Sequence, residues 1–155
     1  MTTFTIRAWW MAVAFLACAG SAAARNSLYE RLGSEAGVSA ISDRLIDLVA
    51  ADPLTGPSFA DTRLRRIKGL LAEQICELSD GPCHYSGDSM KRSHAGLHIS
   101  QAMFYRMVAL LRVVLHERHV DQRSTNELLR LLAPIKRDVV EHAPAAHPVL
   151  APAAQ

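Results

Sequence analysis

Gly81-Pro82-Cys83-His84-Tyr85-Ser86-Gly87-Asp88-Ser89-Met90-Lys91-Arg92-Ser93-His94-Ala95-Gly96-Leu97-His98-Ile99-Ser100 separates two strongly helical patterns in the middle of the chain. It holds one of the three cysteines, three of the seven histidines and three of the eight glycines. A segment this rich in turn formers, set between apolar helices, holds side chains in place for a purpose other than filling a core. The rest of the chain reads outward from it.

Upstream, Leu64, Ile67, Leu71, Ile75 and Leu78 recur at helical spacing, and Asp61 or Thr62 is the expected N-cap. Gly81-Pro82 ends that helix. Before it, Val38, Ile41, Leu45, Leu48 and Val49 form the apolar stripe of a helix from about Ala36 to Ala51, stopped by Asp52-Pro53. Ser27-Leu28-Tyr29-Glu30 is a capping box that opens a short first helix, closed by Gly33. Downstream, Ser100 caps a long helix bearing Met103, Phe104, Met107, Val108, Leu111, Val114 and Leu115. Ser124-Thr125-Asn126-Glu127 reads as a further capping box, leading into a last helix over Leu128–Val140 with a kink at Pro134. No stretch alternates as a strand does, so the expected fold class is all-α.

The ends read differently. Arg7 precedes an apolar run from Ala8 to Gly20 and then Ser21-Ala22-Ala23-Ala24, the pattern of a secretory signal cut after Ala24. The run is shorter than the roughly 18–20 residues of a spanning helix, so a stable membrane anchor is not expected. Cys18 is a candidate for lipidation, although Phe15 stands where such sites prefer Leu. The expected organisation is a signal peptide over 1–24, one domain over 25–142 and a disordered Ala/Pro-rich tail over 143–155. Removing residues 1–24 leaves 16 basic and 15 acidic side chains, a balance that excludes a nucleic-acid-binding surface. The expected location is periplasmic or secreted. There Cys76 and Cys83 are compatible with one disulfide, with two buried thiols as the alternative.

Several motifs together resemble the group 1 truncated haemoglobins. They are Ser27–Gly33 as an opening helix and glycine hinge, Phe59, Asp80-Gly81-Pro82 with Tyr85-Ser86-Gly87, Met90-Lys91-Arg92-Ser93-His94-Ala95-Gly96-Leu97, and Leu132-Ala133-Pro134. The resemblance covers about residues 27–142. It implies a two-over-two helical sandwich around haem b, with His94 as the ligand of the iron. Independently, a porphyrin needs two apolar walls and one neutral imidazole. One wall would be Ile67, Leu70, Leu71 and Ile75; the other would be Met90, His94, Ile99 and Phe104. The resemblance adds Phe59, where globins hold a Phe against the haem, and Tyr85 of the second glycine motif. His98, four residues past His94, is read as a solvent-side residue or one that supports the ligand from behind. A zinc site from His94, His98, Cys76 and Cys83 is the alternative use of the same residues.

Members of this family that hold oxygen tightly usually place Tyr in the second helix and Gln in the third. Ile46 and Leu71 stand at those positions, and Gln74 is the nearest substitute donor. The expected function is therefore an exported haem protein binding oxygen, nitric oxide or carbon monoxide in an apolar pocket. The alternative is a haem-dependent nitric oxide dioxygenase or other redox enzyme, which would also require an electron donor. A haem-free helical module is the third reading.

Overall fold

The computed structural model describes residues 26–60 and 62–141; the expected signal peptide and Ala/Pro-rich tail lie outside them. Among the described residues every regular element is a helix: α1 Leu28–Arg31, α2 Ser34–Ala51, α3 Leu64–Leu78, α4 Met90–Ser93, α5 Gln101–Glu117, α6 Gln122–Leu132 and α7 Lys136–Val139. Short 3₁₀ turns occupy Gly56–Phe59 and Ala133–Ile135. No described helix is long and apolar enough to cross a membrane.

The helices stack as two pairs. α2 lies most extensively on α3 and then on α5, and α6 joins α5 and α3 from the far side. The core is built from Val38, Ile41, Leu45 and Val49 of α2, Ile75 and Cys76 of α3, Leu110, Leu111, Val114 and Leu115 of α5, and Leu128 of α6. Fully burying one such side chain contributes about 1.5–3 kcal/mol, so this shared seam dominates the fold's stability.

Local chemistry sets most boundaries where the sequence pattern places them. The Ser27 hydroxyl accepts from Glu30 N at 3.2 Å while Glu30 Oε2 accepts from Ser27 N at 3.0 Å, completing the first capping box. Ser100 Oγ accepts from Met103 N at 3.2 Å and starts α5. Two expectations fail. α3 begins at Leu64 after Arg63, with no side-chain cap; the Thr62 hydroxyl donates instead to Ala60 O at 3.2 Å, and Asp61 lies outside the described residues. The sixth helix starts at Gln122, not near Ser124, because Asp121 is the stronger cap. Its carboxylate accepts from Ser124 N at 3.0 Å and from Ser124 Oγ at 2.7 Å. Glu127, the other half of the supposed box, pairs with Arg31, whose Nε also donates to Ser124 Oγ. Pro134 does more than kink the last helix: α6 stops at Leu132, a 3₁₀ turn follows, and α7 is a separate single turn.

The corner after α2 depends on Asp52, which is buried. Its carboxylate accepts from Arg106 Nε at 2.7 Å and from the backbone N–H groups of Leu54 and Thr55 at 3.0 and 3.3 Å. The Arg106 hydrogen bond, aided by these amides, holds its pKa below the ordinary carboxylate range. A carboxyl with a depressed folded-state value stabilises above its unfolded value of about 3.9, and that contribution is lost as pH falls further. Asp52→Asn should therefore lower the melting temperature at pH 6 and flatten its decline between pH 4 and pH 2, measured by circular dichroism. An unchanged acid limb would remove Asp52 from that account.

Candidate functional site

The segment after α3 is tied to it rung by rung. Ser86 donates to Glu73 Oε2 from both its backbone N–H, at 2.9 Å, and its hydroxyl, at 2.7 Å. Gln74 Nε2 reaches the Met90 sulfur at 3.3 Å. Cys76 and Cys83 form a disulfide with Cα atoms 5.8 Å apart. His84 Nδ1 lies 2.7 Å from Glu77 Oε1. The Ser86 hydroxyl, followed by its amide, keeps Glu73 more acidic than an ordinary glutamate. Gly81 passes so close to the bridge that a Cβ there would sit 2.5 Å from Cys76 Sγ and 2.7 Å from the Tyr29 ring. Both sulfurs are consumed by this bond, so the zinc site drawn from Cys76 and Cys83 is not available.

This framework delivers α4, and α4 delivers His94. Ser89 caps the helix by accepting from Arg92 N, and His94 stands at its C-terminal end, half-buried. His94 Nδ1 lies 2.9 Å from Met90 O and 3.1 Å from Ser93 Oγ. A carbonyl can only accept, so the proton is assigned to Nδ1 and the lone pair to Nε2. That is the arrangement of a ligating imidazole, whose remote nitrogen donates to a backbone carbonyl and fixes the ring. His98, by contrast, is 88% exposed and sits 3.0 Å from Glu141 Oε2.

Ile67, Leu70 and Leu71 of α3, Met90 of α4, Ile99 after it, and Phe104 of α5 are all only half-buried. Phe59 ends the first 3₁₀ turn and, with Leu71, leans against the core while staying partly open. Tyr85 is half-buried in the loop, its hydroxyl donating to Asp88 O at 3.0 Å, and burial pushes its acidity weaker than usual. Large apolar side chains left partly uncovered, next to an imidazole with a free Nε2, fit a flat apolar group carrying a metal. Ile75 is the exception. It is wholly enclosed in the core, because eight positions past Ile67 it has rotated about 80° around the helix. It belongs to the protein interior rather than to the wall of the site.

Glu73 and Glu77 were not recognisable as site residues from their own positions. Their helical spacing marks a polar stripe, but only the folded loop shows what that stripe holds.

A helical sandwich carrying one oriented, half-buried imidazole beside uncovered apolar side chains is the architecture of a globin. The bacterial-like globin family model matches residues 27–141, and the chain belongs to that family, within its group 1 truncated haemoglobins. It is 28% identical over 104 residues to a group 1 truncated hemoglobin of Nostoc sp. (strain MUN 8820), covering 67% of this chain and 88% of that one. A Nostoc commune relative of the same description is 30% identical over 79 residues, covering 51% and 67%. The fold superposes on truncated hemoglobin from Tetrahymena pyriformis in its Fe(III) form with a TM-score of 0.72 at 24% identity, covering 76% of this chain and all of the other. A 2/2 hemoglobin from Synechococcus sp. PCC 7002, crystallised with covalently attached heme, gives 0.70 at 24% identity over 74% of this chain and 98% of that one.

By the loop-entropy relation, closing a ring of this size contributes roughly 2.5 kcal/mol. Cys83→Ala should lower chemical-denaturation stability by about that amount, and adding a thiol reductant to the unmutated protein should reproduce the loss. Equal stability of oxidised and reduced protein would show that the bridge carries no load.

Proposed function

We infer that this protein binds haem b through His94 Nε2 and that the iron takes up a diatomic gas. The observation that carries the reading is the His94 Nδ1 hydrogen bond to Met90 O, which leaves Nε2 as the free donor. Met90, Ile99 and Phe104 would cover the group on the His94 side, and Ile67, Leu70 and Leu71 on the other, with Phe59 and Tyr85 near its edge. When bound, haem iron would supply the centre that takes up oxygen, nitric oxide or carbon monoxide. The chain's own part is to orient the imidazole, exclude water and set the polarity around the gas.

That polarity is low. Ile46 is buried and apolar, and Leu71 and Ile67 offer no donor. The Gln74 amide is drawn towards Met90. A hydrogen bond to a polarised, partly charged ligand is worth about 1.5–3 kcal/mol. Its absence weakens oxygen holding by about tenfold to a hundredfold or more, since about 1.4 kcal/mol is a factor of ten. Carbon monoxide and nitric oxide depend less on such a donor, so they are favoured relative to oxygen. Export to an oxidising compartment is part of the same proposal. It is supported by the charged, apolar and Ala-rich succession over residues 1–24 and by the Cys76–Cys83 bridge, a bond that persists outside reducing cytosol.

Replacement of His94 by Ala should abolish the Soret band after haem reconstitution, or leave haem that transfers rapidly to a scavenging apo-globin. His98→Ala should retain it. Haem loss in the His98 variant alone would transfer the ligand role to that residue.

The polarity argument is tested by stopped-flow oxygen dissociation. The unmutated protein should release oxygen fast, and Ile46→Tyr with Leu71→Gln should slow release by one to two orders of magnitude, the rate equivalent of about 1.5–3 kcal/mol. Slow release from the unmutated protein would mean that a donor already faces the gas.

A further inference from the structure

His94 is held firmly on its upstream side and thinly on its downstream side. Upstream stand the Ser89 cap, the Gln74–Met90 contact and the disulfide. Downstream, Ala95, Gly96, Leu97 and His98 are all exposed, and Ile99 is only half-buried. Their own hydrogen bonds, Ala95 N to Arg92 O and Leu97 N to His94 O, are local. Two residues of the turn occupy the left-handed region, Gly96 at φ +77° and His98 at φ +51°. Such a stretch, without burial, opens easily unless something fastens it.

Among the described residues its long-range fastening comes from one residue, Glu141, just past α7. Glu141 Oε1 accepts from Gly96 N at 2.7 Å, its Oε2 lies 3.0 Å from His98 Nδ1, and its own N–H donates to Ile99 O at 3.0 Å. The three contacts span the turn from end to end. They differ in weight. The His98 pair is open to water and worth little. The bond from the Gly96 amide to a carboxylate is charge-assisted and short, and the Ile99 bond adds backbone pairing. Val139, buried two residues earlier, fixes where Glu141 can reach from.

We propose that Glu141 is a positioning residue for the iron ligand: by clasping the Gly96 amide it fixes the turn that follows His94, and so the orientation and retention of the imidazole. The proposal rests on His94 being the ligand. Glu141 touches neither haem nor gas; it acts through the backbone two residues beyond the histidine. Gln at this position keeps an acceptor for the Gly96 amide, whereas Ala removes it.

Two measurements test the clasp, one of them without haem. In the apo-protein, amide hydrogen exchange at Gly96 should speed up about tenfold in Glu141→Ala, as expected on losing a hydrogen bond to a charged group, and stay near the unmutated value in Glu141→Gln. In the haem-loaded ferrous protein, resonance Raman should show the iron–histidine stretching band shifted or broadened in Glu141→Ala, with haem transfer to apo-globin about tenfold faster. Glu141→Gln should restore both. Unchanged Gly96 exchange, or an unmoved band with unchanged haem transfer, in Glu141→Ala would overturn the proposal, as would a Gln variant as impaired as Ala. Absence of a His94-dependent band in the unmutated protein would sink the ligand assignment instead, while Gly96 exchange would still report on the clasp.

Discussion

The covalent and polar tie between α3 and the segment that follows it governs everything this protein can do. Glu73, Gln74, Cys76 and Glu77 occupy little more than one turn of α3, and each reaches across to the loop, at Ser86, Met90, Cys83 and His84. A loop with few buried residues has no core of its own to define its path. Here a helix already fixed by the seam with α2 defines it instead, and the rigidity of a long element passes to a short one. α4 is a single turn and would not persist alone, since a helix of that length cannot repay nucleation. It survives because both its entry and its first side chain are attached to α3.

The same helix also carries half-buried apolar side chains, Ile67, Leu70 and Leu71. α3 thus has three duties distributed around its circumference: Ile75 and Cys76 enter the core, Glu73 and Glu77 hold the loop, and Ile67, Leu70 and Leu71 remain partly uncovered. This division leaves Ile67, Leu70 and Leu71 half-buried on one face of α3. On the proposed function, this uncovered face is the part of the interior that haem would complete. Bound haem would then add to stability by mass action, because it binds the folded chain and not the unfolded one.

What could be read from sequence followed the range of the interactions involved. Capping at Ser27 and Ser100 was legible because the partners lie three residues away. The His94 segment was singled out by its resemblance to a family motif and by the turn formers around it; the hydrogen bond that orients the ring goes to Met90, one helical turn back. The sixth helix was misplaced because two cap signals, Asp121 and Ser124, stand three residues apart, and Arg31 from the opposite end of the chain decides what Glu127 does. Ile75 was assigned to the site because it continues the spacing of Ile67 and Leu71, yet the slow rotation of that series carries it into the core. Glu141 could not be read at all: 45 residues separate it from Gly96, and no local pattern marks the pair.

The short span of the disulfide also bears on the order of events as the chain becomes structured. Its cysteines are seven positions apart, and the neighbouring rungs join residues 7, 13 and 16 apart. A loop of about ten residues closes in about 10–100 ns, far faster than a multi-helix assembly can be searched. Near-neighbour contacts of this kind lower the topological cost of reaching the native state. The contacts of this loop with α3 can therefore form while α5 and α6 are still unpaired, whereas the covalent bond itself follows on the slower timescale of thiol oxidation. The later oxidation of Cys76 and Cys83 would then fasten a loop path that short-range contacts had already drawn.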